Sequence, residues 1–378
     1  MFEKYVLQDM RGCFFKYAPG KRRSDKIMRE WEKNIRKVTP YVPGEQPKQK
    51  NVIKLNTNEN PYPPSPKVTA ALQALETDPL RKYPDPAAQQ LTDAIADFYG
   101  LKPEQVFVGV GSDDVLAMCF LTFFNSQKPI LFPDITYSFY DVWADLFRIP
   151  YECQPLNDRF EIVKEDYYRE NGGVIFPNPN APTGELLSLE AIEDILKHNQ
   201  DVVVIVDEAY IDFGGGSALP LLERYENLLV VQTFSKSRSM AGMRIGYALG
   251  NADLIRALSD VKYSFNSYTM NAAAIALGTA AIQDRAYFEE TREKIIATRE
   301  RTKQRMAELG FTFGDSKANF LFVTHPSLDA EKLFQALKEA GIYVRYFKKP
   351  RIDQYLRITI GTDAEMDALL AFLEHIIG

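Results

Sequence analysis

Thiols and imidazoles are scarce here: three cysteines and three histidines in 378 residues. Cys13, Cys119 and Cys153 form an odd, widely spaced set, which excludes a disulfide framework and suits a reducing compartment. His198, His325 and His375 lie too far apart for metal-ligand spacing, so no metal is expected. No apolar run reaches the roughly 18 residues of a membrane span. Lys4, Asp9 and Arg11 interrupt any signal-like stretch at the start. Lys and Arg do not gather into a nucleic-acid footprint, because the formal net charge is -6 and both signs are mixed along the chain. The expectation is a soluble, cytoplasmic protein with neither nucleic acid nor membrane as partner.

With 46% hydrophobic residues, a chain of this length builds its core without staples. Residues 1–30 read as an N-terminal extension carrying the basic triplet Lys21-Arg22-Arg23. Residues 31–65 read as an arm, with an amphipathic stretch around Ile27 to Val38 and Pro/Gly punctuation from Pro40 to Pro47. Residues 66–280 would form a large domain and 281–378 a small C-terminal one. A long charged helix from about Asp284 to Leu309 would join them, since the segment has no proline.

Beyond residue 65, helix-period segments (about 65–77, 86–99 and 112–125) alternate with short β-rich runs. Those runs are Val106–Val110, Ile130–Phe132, Gly173–Phe176, Val202–Val206, Leu229–Thr233 and Gly246–Leu249. Ser188 would cap a helix from Leu189 to His198. Continuous apolar strands separated by helices predict an α/β fold with a mainly parallel, helix-covered sheet. The C-terminal part reads as a compact α+β unit: strand Phe320–Thr324, helix 330–340, strands Ile342–Arg345 and Leu356–Ile360, helix 363–377.

In a parallel sheet, ligands bind beyond the carboxyl ends of the strands. Asp207 ends the run Val202–Val206 and is followed by Glu208-Ala209-Tyr210. Alone, it reads equally as a helix cap or a structural ion pair. The next strand ends in Thr233-Phe234-Ser235-Lys236-Ser237, which brings a lysine and hydroxyls to the same edge. A lysine there is costly unless paired or used covalently. Gly242-Met243-Arg244-Ile245-Gly246 adds an arginine, whose fork suits phosphate, between glycines that admit close approach. Gly109 to Asp114 follows a β-run and opens a helix, so its backbone N–H groups suit a phosphate, although a plain capped helix reads the same way. It lacks the Gly-Lys-Ser/Thr of a nucleotide loop.

Further segments stand in order around these. They are Pro40-Tyr41-Val42-Pro43-Gly44, Leu55 to Tyr62, Lys82-Tyr83-Pro84-Asp85, Asn178 to Gly184, and Leu356 to Thr362. Together, from about residue 31 to the C-terminus, the chain resembles the class I/II aminotransferases, the fold-type-I pyridoxal-phosphate enzymes. Within them it is most similar to the histidinol-phosphate aminotransferases.

The resemblance implies roles that the chemistry can be checked against. Lys236 would carry pyridoxal 5'-phosphate as a Schiff base and then act as general base, giving up a proton for both tasks. Asp207 would pair with the protonated pyridine nitrogen, and Tyr210 would hydrogen-bond the ring's phenolic oxygen. Tyr137 would stack on one ring face and Ala209 on the other. Arg244, Ser235, Thr233 and the backbone of Ser112 and Asp113 would hold the phosphate, with Tyr83 reaching it from the other subunit of a homodimer. Arg357 would bind the substrate's acidic group, a carboxylate or a phosphate alike, and Arg345 a substrate phosphate, with Lys348, Lys349 and Arg351 as nearby alternatives to Arg345; Asn58 and Tyr62 would line the substrate side.

One departure stands out. The family reads Asn-Asn-Pro-Thr-Gly where this chain has Asn180-Ala181-Pro182-Thr183-Gly184. Either Asn180 supplies the ring-oxygen contact from one residue earlier, or Tyr210 carries more of it.

The implied reaction is amino transfer from histidinol phosphate to a 2-oxo acid such as 2-oxoglutarate, in histidine biosynthesis. The cofactor residues alone do not separate this from an aromatic-amino-acid aminotransferase or a threonine-phosphate decarboxylase. A non-catalytic regulator on the same fold would need a DNA-binding domain, and 30 extra residues are too few for one.

Overall fold

The computed structural model describes residues 29–49 and 51–377. Cys13, the Lys21-Arg22-Arg23 triplet, Ile27 and Met28 lie outside the described residues. The chain divides into two compact units, Met1–Thr39 and Pro40–Gly378. In the first, the expected amphipathic helix shrinks to a single turn, Glu30–Lys33. Trp31, Ile35 and Val38 stay about half exposed, and so short a helix has little to hold it without a buried face.

In the second unit, strand β1 (Ile53–Lys54) comes from the arm. A seven-stranded sheet follows: β2 (Val106–Gly109), β3 (Ile130–Pro133), β4 (Tyr151–Gln154), β5 (Val174–Pro177), β6 (Val204–Asp207), β7 (Leu228–Thr233) and β8 (Gly246–Gly250). Its order is β2-β8-β7-β6-β5-β3-β4, and β8 alone runs against its neighbours. The sheet is thus mainly parallel. β4 went unread because its residues alternate little and three of its four are not buried.

The period of two assigns side chains to the two faces of this sheet. Val204 and Val206 of β6, with Leu228 and Val230 of β7, join one core. Ile205, Leu229 and Val231, one residue out of phase, join the other. Both faces are covered by helices, which is why the strands read as unbroken apolar runs. The helix Ala272–Ile282 (AAAIALGTAAI) packs against Pro66–Gln73 and Gln89–Tyr99. It is apolar all round, as a buried helix is, and so carried no amphipathic signal.

A third core gathers around β9 (Thr312–Phe313), β10 (Phe320–Thr324), β11 (Ile342–Tyr343), β12 (Arg345–Tyr346) and β13 (Leu356–Thr359). The expected single strand Ile342–Arg345 is two. β11 pairs in parallel with β1, while β12 pairs antiparallel with β13 in a sheet of order β12-β13-β10-β9. The chain changes sheets at Val344, so the arm's strand and the C-terminal sheet are stitched at one point. The long helix Arg285–Glu308 runs beside both regions. Its Arg299, 3% exposed, donates through Nη1 to Phe213 O and Ala318 O, each at 2.9 Å. Among the described residues no helix is long and apolar enough to cross a membrane, and no cluster of His, Cys, Asp and Glu could hold a metal ion.

Candidate active site

β6 delivers Asp207 to the carboxyl edge of the sheet, in register with Pro177 of β5 and Val231 of β7. The carboxylate is 4% exposed. Tyr140 OH donates to its Oδ2 at 2.9 Å, and the Ala209 N–H donates to Oδ1 at 3.2 Å. Burial pushes its pKa up to about 6. The Tyr140 and Ala209 hydrogen bonds oppose this, Asp113 adds to it, and Lys236 opposes it. A buried carboxylate in that condition favours a cation placed against it. A protonated ring nitrogen fits.

β7 ends in the turn that carries Lys236. Asn60 Nδ2 clamps this turn, donating to Lys236 O at 3.0 Å and Ser237 O at 3.2 Å. Lys236 Nζ donates to Thr57 O at 3.1 Å and lies 5.6 Å from the centre of the Tyr210 ring. It has no ion-pair partner among the described residues. An amine so placed, beside Tyr210 and near Asp207, is available for chemistry.

β8 starts at the same edge, with Gly246 opposite Thr233 and Gly109. A Cβ on Gly246 would sit 2.2 Å from Ser112 N, and one on Gly111 would sit 2.5 Å from Arg244 Nη2. Glycine at both positions lets the helix start at Ser112, the end of β7 and Arg244 converge. Arg244 Nη2 meets Asp113 Oδ2 at 2.9 Å, and Asp113 Oδ1 accepts from Tyr137 OH at 2.7 Å. Thr233 Oγ1 and Ser235 Oγ are 3.0 Å apart. A helix N-terminus, a guanidinium and two hydroxyls at one point make an anion cradle of phosphate chemistry.

Asn180 is 1% exposed and its amide is spent on its own loop. Nδ2 donates to Ile135 O at 2.9 Å and Thr183 Oγ1 at 3.1 Å, while Oδ1 accepts from Thr136 Oγ1 at 3.2 Å. Both amide protons are used, so this geometry does not offer Asn180 as the substitute at the ring oxygen. Ala181 beside it presents only a methyl group.

The substrate side is built by the C-terminal sheet. Arg345 and Arg357 are direct cross-strand partners on β12 and β13. Arg357 Nη2 donates to Asn56 O at 3.0 Å, and its Nε is buried without a partner. Burial lowers its pKa, Tyr210 opposes that, and the Arg345 charge adds to it. Both guanidiniums lie over the Phe347 ring, at 5.4 Å and 5.6 Å. Neither has a carboxylate partner among the described residues. Like charges facing each other destabilise a sheet unless an anion joins them.

Three further expected site residues are placed as follows. Asn58, expected on the substrate side, is 1% exposed and donates through Nδ2 to Tyr210 OH at 3.0 Å. Tyr62 packs on the third core, with Lys294 Nζ 5.5 Å from its ring. Tyr83 is 81% exposed and stacks on Tyr268 with ring centres 4.5 Å apart. Tyr140, Asn60, Thr57 and Phe347 were missed. Only Asn60 and Thr57 lie within a motif, Leu55 to Tyr62; Tyr140, three residues after Tyr137, is helix spacing with no other signal.

The chain is similar to known proteins in sequence and in fold. Residues 50–373 match the family model for aminotransferase class I and II. A histidinol-phosphate aminotransferase of Acinetobacter baylyi is 56% identical over 93% of this chain and 98% of its own. One of Lactococcus lactis subsp. cremoris is 52% identical over 91% and 97%. Among solved structures, the histidinol-phosphate aminotransferase of Sinorhizobium meliloti in complex with pyridoxal-5'-phosphate matches with TM-score 0.77 and 26% identity, over 86% of this chain and 90% of that one. The enzyme from Clostridium acetobutylicum shares the fold at TM-score 0.78, 23% identical over 86% and 99%. The chain belongs to the aminotransferase class I and II family.

Proposed function

We propose that the protein is a pyridoxal-phosphate-dependent aminotransferase that moves the amino group of histidinol phosphate to a 2-oxo acid such as 2-oxoglutarate. The observation that carries this reading is the Arg345–Arg357 cross-strand pair, which lacks a carboxylate partner among the described residues. Two facing guanidiniums suit a phosphate dianion better than the single negative charge of an amino acid's carboxylate. The curated relatives, 52% and 56% identical, carry the same substrate in their names.

When bound, pyridoxal phosphate supplies a ring that takes up the electrons left when the substrate Cα loses its proton. Asp207 would hold a proton on the ring nitrogen. Lys236 would move the proton at the substrate Cα. Tyr210 would donate to the phenolic oxygen, Tyr137 and Ala209 would flank the ring, and Ser112, Asp113, Thr233, Ser235 and Arg244 would anchor the phosphate. Arg345 and Arg357 would orient the donor, and the arm from Tyr41 to Asn60 would help to exclude water.

We read the protein as a cytoplasmic homodimer with shared sites. Support comes from the exposed aromatic surface of Tyr83, Phe265, Tyr263 and Tyr268, which suits burial against a second copy. We also read residues 66–280 as a large domain and 281–378 as a small one. A donor panel tests the function: histidinol phosphate, phenylalanine, tyrosine and phosphothreonine with 2-oxoglutarate, scored for glutamate and for carbon dioxide. Histidinol phosphate should give glutamate fastest. Preference for phenylalanine or tyrosine, or carbon dioxide from phosphothreonine, would overturn the substrate assignment.

A further inference from the structure

We propose that Asn58, itself set by Thr359, is a positioning residue that fixes Tyr210 as a hydrogen-bond donor toward the cofactor's phenolic oxygen. This rests on the cofactor reading above.

The direction of each hydrogen bond follows from one that cannot reverse. The Asn58 backbone N–H donates to Thr359 Oγ1 at 3.0 Å. A backbone amide is donor only, so the threonine hydroxyl accepts there and sends its own proton elsewhere. Asn58 Oδ1 receives it at 3.1 Å. The amide oxygen is thereby held on the Thr359 side, and Nδ2 is turned to Tyr210 OH at 3.0 Å. Nδ2 only donates, so the tyrosine oxygen accepts, and the tyrosine proton is left for an acceptor in the site.

The surroundings hold this relay still. Asn58 and Thr359 are 1% and 2% exposed, so water does not compete. Asn319 Nδ2 donates to Asn58 O at 3.0 Å, and Asn58 sits at φ 55°. The Tyr210 ring meets Phe320 edge-on at 5.1 Å, which fixes its rotation. The Lys236 amine lies 5.6 Å from the centre of the Tyr210 ring, and Arg357, Tyr137 and Tyr140 are close enough to interact with Tyr210 electrostatically.

Ala181 explains why the relay matters in this chain. A family asparagine there would add a second donor, and both Asn180 protons are already taken. The ring oxygen then depends on Tyr210, and a free hydroxyl rotor would spend part of its time pointing elsewhere.

The test is a spectrophotometric pH titration of the visible band of the holoenzyme, together with the dissociation constant of pyridoxal phosphate. Asn58→Asp keeps the shape but turns a donor into an acceptor, so Tyr210 spends its proton on the new carboxylate. A phenolic oxygen that loses a donor becomes more basic, so the midpoint should rise by about one pH unit. Tyr210→Phe should shift it the same way, and combining the two should add nothing further. Thr359→Val, which keeps the volume, should give a smaller shift of the same sign, and Thr359→Ser should restore the original midpoint. An unmoved midpoint in Asn58→Asp and Thr359→Val, or an equal shift when Tyr210 is already Phe, would overturn the proposal. Absence of any visible band from the unsubstituted protein with pyridoxal phosphate would instead defeat the cofactor reading on which it stands.

Discussion

Arg345 and Arg357 face each other across β12 and β13, two guanidiniums over one phenylalanine ring with no carboxylate partner among the described residues. The pair is a cost to the empty protein and an asset once an anion arrives. Arg345→Gln should therefore split two properties. The unliganded protein should melt at the same or a slightly higher temperature, while kcat/KM for histidinol phosphate falls about 100-fold. Loss of both stability and activity together would show that the pair is structural.

Asp207 gives a pH prediction with a definite sign. Its folded pKa, about 6, lies above the ordinary 3.8. A carboxyl raised in this way contributes stability below its unfolded pKa, and that contribution is lost as pH rises through about 6. Relative to Asp207→Asn, the cofactor-free protein should lose about 2 kcal/mol between pH 4 and 6.5, measured by urea unfolding. Saturating cofactor should reverse the trend, because the ring cation favours the carboxylate. A difference between the two proteins that does not vary with pH would contradict this account.

Gly246 tests the anion cradle. A Cβ there would meet Ser112 N and the Gly111 backbone, neither of which can yield cheaply. Gly246→Ala should cost about 1–3 kcal/mol and weaken cofactor binding at least tenfold. Gly242→Ala, with nothing within 4 Å of the new methyl group, should change stability by no more than about 0.5 kcal/mol. Equal effects at the two positions would argue against the cradle.

Tyr83 and Lys236 test the shared site. Each single variant should be nearly inactive. Random re-pairing of equal amounts makes half the dimers hybrid, each with one intact site, so the mixture should recover about a quarter of full activity. No recovery would contradict a site completed by a second copy.

Much of this arrangement was legible in the sequence for physical reasons. Val202 to Val206 announced a buried strand because both of its faces are covered, and Asp207 at its end could only lie at the ligand edge. Ser188 announced its helix because its side chain caps it, accepting from Ala191 N at 3.2 Å. What was hidden depends on long-range register. The two-residue strands β1 and β11 are too short to show a period, yet their pairing carries the arm to the site. Tyr140 reaches Asp207 across 67 residues, and Asn58 reaches Tyr210 across 152. No local pattern encodes such contacts. Arg345 and Arg357 were each visible, but that they face one another is a property of the sheet.

The account's central claim is that Lys236 is the residue that holds the cofactor. Borohydride reduction of the protein with pyridoxal phosphate, followed by proteolysis and mass spectrometry of the peptides, tests it most directly. The account predicts the reduced cofactor on Lys236, about one per chain, and none in Lys236→Ala. Label on another lysine, or labelling unchanged by the substitution, would contradict it.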